Sequence, residues 1–218
     1  PLNITKVIQD NKELKFEKEG NAHFIKLKSK QKKGEIKSIE VFYEGNPKVA
    51  VRPPWDGGLT WSRDANGNHF IANSNQGIGA SIWWPLKDHM YDEVDSMLIS
   101  ANVPKNLMDV SNGRLRKVEE FEDSKTYYWF VSNPINNYGV MFSEVYKGEK
   151  GDLDLVYYVL KENLERATTH FKQVPKMMEA FEYWFGPYPF YEDSFKVVEV
   201  PYLGMEHQSA VTYGNNWS

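Results

Sequence analysis

Hydrophobic periodicity changes once along this chain, near residue 150, and that change limits the fold more than any other feature. Before it, apolar and polar residues alternate over short runs. Residues 2–8, 22–27, 35–43, 97–103, 127–132 and 139–145 each read as a β-strand. Asn66-Gly67, between residues 59–62 and 69–72, predicts a hairpin with a type I′ turn, because that turn needs positive φ at both central positions. A second hairpin is predicted around Glu122-Asp123-Ser124. Strands without a helical pattern predict a mainly β chain whose residues 1–150 form an antiparallel β-sandwich or saddle.

After the polar segment Lys147-Gly148-Glu149-Lys150-Gly151-Asp152, of a kind that joins domains, the pattern differs. A strand is expected over 153–159. Leu164, Ala167, Phe171, Val174, Met178, Phe181 and Phe185 then follow at steps of three and four, the stripe of an amphipathic helix. Pro175 cannot donate to the carbonyl of Phe171, so a kink is expected there, or a break with Pro175 opening a second helix. Gly186-Pro187 ends the pattern, and strands are predicted over 195–200 and 210–213. Residues 151–218 thus read as the start of an α+β domain. With one amphipathic helical stretch they are too few to close a core alone, and the chain is expected to stop mid-fold.

Several function classes are disfavoured. Twenty-six basic residues against 30 acidic ones give a net charge of -4, so no global positive field attracts nucleic acid or anionic lipid, and neither partner is expected. No apolar run approaches the roughly 18 residues of a membrane span. The absence of cysteine excludes disulfides and thiolate chemistry but leaves the compartment open. The histidines, at 23, 69, 89, 170 and 207, include no pair four apart, so the chain has no His-Glu-x-x-His zinc helix and no metal site is expected. Gly77-Ile78-Gly79 lacks the third glycine of a dinucleotide loop, and Gly79-Ala80-Ser81 lacks the second glycine of a serine elbow. The lysine run at 26, 28, 30, 32 and 33 reads as a solvated or edge-protecting face.

One stretch carries chemistry. Pro201-Tyr202-Leu203-Gly204-Met205-Glu206-His207-Gln208 puts a glycine, an acid and an imidazole directly after a buried-type strand, where side chains commonly line sites. A carboxylate there suits an ammonium anchor or an acid–base role; a polar turn explains the same residues.

The order of motifs resembles the M1 family of zinc metallopeptidases, the aminopeptidase N and leukotriene A4 hydrolase group. Trp184-Phe185-Gly186-Pro187-Tyr188-Pro189 has the form of the family's aromatic-Gly-x-Tyr-Pro helix end. Leu203-Gly204-Met205-Glu206-His207 aligns with its Gly-x-Met-Glu-Asn motif, and Tyr213 stands seven residues after Glu206. Trp84-Pro85-Leu86-Lys87-Asp88 is similar to its Phe-Pro-x-x-Asp motif, with Gln76 nine residues before Pro85. Leu203 and His207 depart from the pattern, standing where Gly and Asn are usual.

The resemblance implies a β-domain followed by the truncated start of a thermolysin-like α+β catalytic domain. It implies that Glu206 binds the free α-amino group of a peptide, that Gly204 and Met205 present backbone groups to the scissile peptide, and that His207 borders the same site. Gln76 would share the amine or line the first side-chain pocket. It further implies a zinc aminopeptidase as the complete enzyme, acting on peptides with a free N-terminus, whose zinc ligands and general base lie beyond Ser218. No catalytic residue and no metal ligand would then be in this chain, and the fragment would be inactive. Trp83, Trp84, Trp184 and Phe185 are expected in the core or at a domain interface, and Asp88 as a loop-ordering carboxylate. A different class, a noncatalytic β-rich binding or scaffold module or a degenerate M1 relative, stays open.

Overall fold

The computed structural model describes residues 2–75, 77–87, 89, 93–135, 140–143, 145–150, 153–215 and 217, with backbone alone for 140–143 and 145–150. Gln76 and Asp88 lie outside the described residues. Strands come first: β1 (Leu2–Gln9), β2 (Lys12–Glu13), β3 (Phe16–Glu19), β4 (Ala22–Ile25), β5 (Glu40–Gly45), β6 (Gly58–Arg63) and β7 (His69–Ser74). Next are β8 (Met97–Pro104), β9 (Met108–Ser111), β10 (Arg114–Glu120), β11 (Ser124–Val131), β12 (Val140–Ser143), β13 (Val145–Lys150) and β14 (Leu155–Leu160). Helices α1 (Leu164–His170) and α2 (Val174–Phe185) follow, then β15 (Phe195–Glu199), β16 (Gly204–Met205) and β17 (Ala210–Tyr213).

The first twelve strands build antiparallel sheets ordered β2-β1-β5, β3-β4, β10-β11-β8 and β6-β7-β12-β9. The last five strands make a mixed sheet ordered β13-β14-β15-β17-β16, parallel across β14-β15-β17. The β-rich front and the helical crossover between β14 and β15 agree with the predicted fold class.

Local boundaries differ where side chains overrule pattern. The Asn66-Gly67 hairpin forms, but with a five-residue loop instead of a two-residue turn, since Arg63 pairs with His69. Asp64 is the reason: its carboxylate accepts the Asn66 and Asn68 amides at 2.9 and 2.8 Å and takes over the closing role of a tight turn. Residues 35–39, read as strand, form a loop, and β5 starts at Glu40. Lys147–Lys150, read as part of a connection, extends strand β13 at a sheet edge, where a charged strand is tolerated.

The helical stretch breaks where Pro175 requires. A 3₁₀ turn over Phe171–Gln173 separates α1 from α2, and Pro175 lies in the first turn of α2. Gly186 ends α2 at φ 89°, its amide bonding the Glu182 carbonyl at 3.0 Å. The Glu182 carboxylate then accepts the Tyr188 amide at 2.9 Å and the Tyr191 hydroxyl at 2.7 Å. The apolar stripe buries Ala167, Phe171, Val174 and Met178, yet Phe181 and Phe185 are 52% and 83% exposed. Trp184, expected in a packed interface, is also exposed, whereas Trp84 packs against the core as expected.

The mixed sheet is buried on both faces, as parallel strands usually are. Val156, Tyr158 and Leu160 of β14, with Val198 of β15, face the N-terminal sheets and join Trp129, Val131 and Val110 in one core. The alternate residues Leu155, Val159, Phe195 and Val197 face the helices and pack on Phe171, Val174 and Met178. A single alternation of period two thus divides each strand between two cores.

The larger core contains a charge problem. Asp109 on β9 is fully buried and its carboxylate makes no hydrogen bond among the described residues. Burial pushes its pKa well above the usual value, while the Trp129 indole pulls it down without closing a hydrogen bond. A group with a raised folded-state pKa gives stability that is present below the unfolded value near 3.8 and lost as pH rises. We expect Asp109→Asn to raise stability by about 1–2 kcal/mol at pH 7. That gain should shrink as thermal melts are repeated towards pH 4, and a gain independent of pH would refute this origin.

Candidate functional site

β15 carries the chain to Glu199 and Val200, and there the fold makes a tight reversal. The Val200 amide bonds the Tyr213 carbonyl at 2.9 Å, and Gly204 and Met205 return to pair antiparallel with Tyr213 and Thr212. β16 is therefore the outermost strand of the mixed sheet. Gly204 is required at this position: its φ is 108°, and a Cβ would stand 2.5 Å from the Thr212 carbonyl oxygen.

The side chains of the predicted site divide between surface and interior. Leu203 and Glu206 are exposed, while Met205 and His207 are buried. His207 is 4% exposed, and neither ring nitrogen has a hydrogen-bond partner among the described residues. Burial pulls its pKa down to about 4, with the Glu206 carboxylate opposing the shift. The imidazole is therefore neutral at pH 7 and supplies no positive charge to Glu206.

Three long-range hydrogen bonds hold this loop against the N-terminal sheets. The Tyr202 hydroxyl donates to the Asn73 carbonyl at 2.7 Å, the Asn112 side-chain amide donates to the Gln208 carbonyl at 2.6 Å, and the Gly113 amide donates to Ser209 Oγ at 2.9 Å. Asn73, three residues before Gln76 in sequence, is thereby held against the residue two before Gly204. Beyond it, the buried Asn75 carbonyl accepts the Gly79 amide at 2.7 Å and closes a turn.

Below the loop lies a polar junction that sequence reasoning missed. Lys196, 1% exposed, donates to the Gly113 carbonyl, to the Asp193 carbonyl at 3.2 Å and to Ser194 Oγ at 3.0 Å. Those three acceptors match the three N–H bonds of an ammonium, and the Trp129 ring centroid lies 5.5 Å away. Burial pulls the Lys196 pKa down to about 7; the Asp193 carboxylate resists and the Arg114 guanidinium adds to the fall. The buried Asp193 carboxylate accepts the Ser132 and Asn133 amides at 2.7 and 3.1 Å and the Asn133 side chain at 2.9 Å. Arg114 pairs with Asp154 and donates to the carbonyls of Glu192 and Tyr191 at 3.1 and 3.0 Å. The one available signal was a lysine inside the apolar run of β15.

Glu199, the other acid near the loop, is also inward. It accepts the Leu160 amide at 2.8 Å and the Asn163 side chain at 2.6 Å, and burial pushes its pKa up. Among the described residues no three metal-ligating side chains converge.

No protein-family model matches the sequence, and no curated protein matches it. Solved structures do. A two-domain M1 zinc metallopeptidase mutant bound to L-arginine superposes with a TM-score of 0.78 at 15% identity, over 99% of this chain and 51% of its own. An M1 zinc metallopeptidase mutant from Deinococcus radiodurans, bound to a Tyr-Ser-Ala substrate, gives 0.78 at 16% identity over 100% and 51%. Native yeast LTA4 hydrolase gives 0.67 at 14% identity over 97% and 33%. The chain spans about half the length of the first two. Nearly the whole chain has the fold of the N-terminal half of M1 zinc metallopeptidases.

Proposed function

We propose that this chain supplies the substrate-gripping wall of a zinc aminopeptidase of the M1 type. Residues 1–150 would act as a β platform, and 151–218 as the start of the catalytic domain. The observation that carries this reading is the exposed Glu206 carboxylate placed directly after β16, the edge strand of the mixed sheet.

A peptide lying along β16 in extended form would exchange main-chain hydrogen bonds with Gly204 and Met205, the way sheet edges take up strands. Its terminal ammonium would pair with Glu206 through a charge-assisted hydrogen bond, roughly twice as strong as a neutral one. Gln76 would share that amine or border the first side chain. Zinc, held in the complete protein by residues outside this chain, would polarise the scissile carbonyl and activate water.

The complete protein should hydrolyse an aminoacyl arylamide with a free amine, lose that activity to a chelator and regain it with zinc. The N-acetylated substrate should be refused, and residues 1–218 alone should show no turnover. If the zinc-loaded complete protein left the free-amine substrate intact, the noncatalytic module or degenerate relative would be the better account.

A further inference from the structure

We propose that the lysine-rich loop between β4 and β5 docks on an anionic lipid surface. Residues 26–37 contain six lysines and one acid, Glu35, a local charge of +5 in a chain whose net charge is -4. The loop is internally braced. Glu35 accepts the Lys32 amide at 2.8 Å and returns its own amide to the Lys32 carbonyl at 3.0 Å, while its carbonyl accepts the Gln31 side chain at 2.6 Å. Lys37 donates to Ser29 Oγ at 2.6 Å, and Lys28 pairs with Asp10 at 3.1 Å.

These contacts use up the loop's acid and two of its lysines. Lys26, Lys30, Lys32 and Lys33 remain exposed, with no carboxylate partner among the described residues. Between them and Lys37 stands Ile36, 91% exposed. An aliphatic side chain held out among free ammonium groups is the arrangement that suits a headgroup boundary. The lysines meet lipid phosphates, their stems follow the apolar surface, and the isoleucine enters the acyl edge. A soluble polyanion offers Ile36 nothing, and the loop carries no aromatic on which bases could stack. The inference does not depend on the peptidase reading.

The test is co-sedimentation of the 218-residue chain with vesicles of phosphatidylcholine containing about one-third phosphatidylglycerol, against vesicles of phosphatidylcholine alone. Binding is expected to the anionic vesicles only and to vanish at about 0.5 M salt, where screening is short-ranged. Combined Lys30→Gln, Lys32→Gln and Lys33→Gln substitutions should weaken it on the order of a hundredfold. Ile36→Asn should weaken it roughly fivefold. Unchanged thermal melts would verify that the variants fold. Equal binding to neutral vesicles, no effect of the triple substitution, or no binding to either vesicle would overturn the proposal. So would binding to duplex DNA or polyaspartate in place of lipid.

Discussion

Glu206→Ala in the complete protein is expected to lower kcat/KM for a free-amine peptide roughly a hundredfold, the scale of losing a hydrogen bond to a charged group, about 1.5–3 kcal/mol. Glu206→Gln, which keeps the shape and an acceptor oxygen while removing the charge, should fall in between. Because Glu206 is exposed at the end of a strand, neither change should move the melting temperature appreciably. The informative comparison uses an N-acetylated substrate: its residual hydrolysis should be indifferent to the substitution, since the ammonium partner is already gone. Wild-type turnover of free-amine peptides by the alanine variant would remove Glu206 from the amine-anchoring role.

The second large effect concerns stability. Asp193→Ala should cost about 3–5 kcal/mol in denaturant unfolding, the scale of breaking a buried charged cluster by removing one partner. The substitution strips the acceptor from the Ser132 and Asn133 amides and leaves the Lys196 ammonium without its nearby carboxylate. Asp193→Asn keeps part of the acceptor geometry and should cost less. A loss below about 1 kcal/mol for the alanine variant would mean that solvent replaces Asp193 readily, and that the junction is not the rigid tie described above.

Sequence patterns exposed the fold unevenly, for physical reasons visible in particular strands. β11 and β14 were legible because apolar residues dominate them. β10 was not: Arg114-Leu115-Arg116-Lys117-Val118-Glu119-Glu120 carries two apolar residues three apart, and the register slips between Leu115 and Lys117. A bulge destroys the alternation that a strand reading depends on. Phe181 and Phe185 show the opposite failure. Their spacing continues the helical stripe, but spacing cannot say where the surface that it faces ends.

The candidate site was legible in its residue types and illegible in its assembly. Glycine, methionine and glutamate after a buried strand marked the loop, and the resemblance to a family supplied roles for them. That His207 turns inward while Glu206 turns outward follows from packing, which adjacent letters do not encode. Nor could the Tyr202–Asn73 bond be read, since it joins residues 129 apart.

That bond and its two companions have a consequence for motion. A two-residue edge strand would ordinarily fray on its own, as the least protected element of a sheet. Here Tyr202 on one side and Gln208 and Ser209 on the other are fastened to Asn73, Asn112 and Gly113, so β16 is pinned at both ends to sheets formed much earlier in the chain. Opening the edge therefore means breaking those hydrogen bonds as well. The wall that would meet a substrate therefore belongs to the same cooperative unit as the β platform, and it would receive a ligand as a preformed surface, with little ordering left to be done on binding.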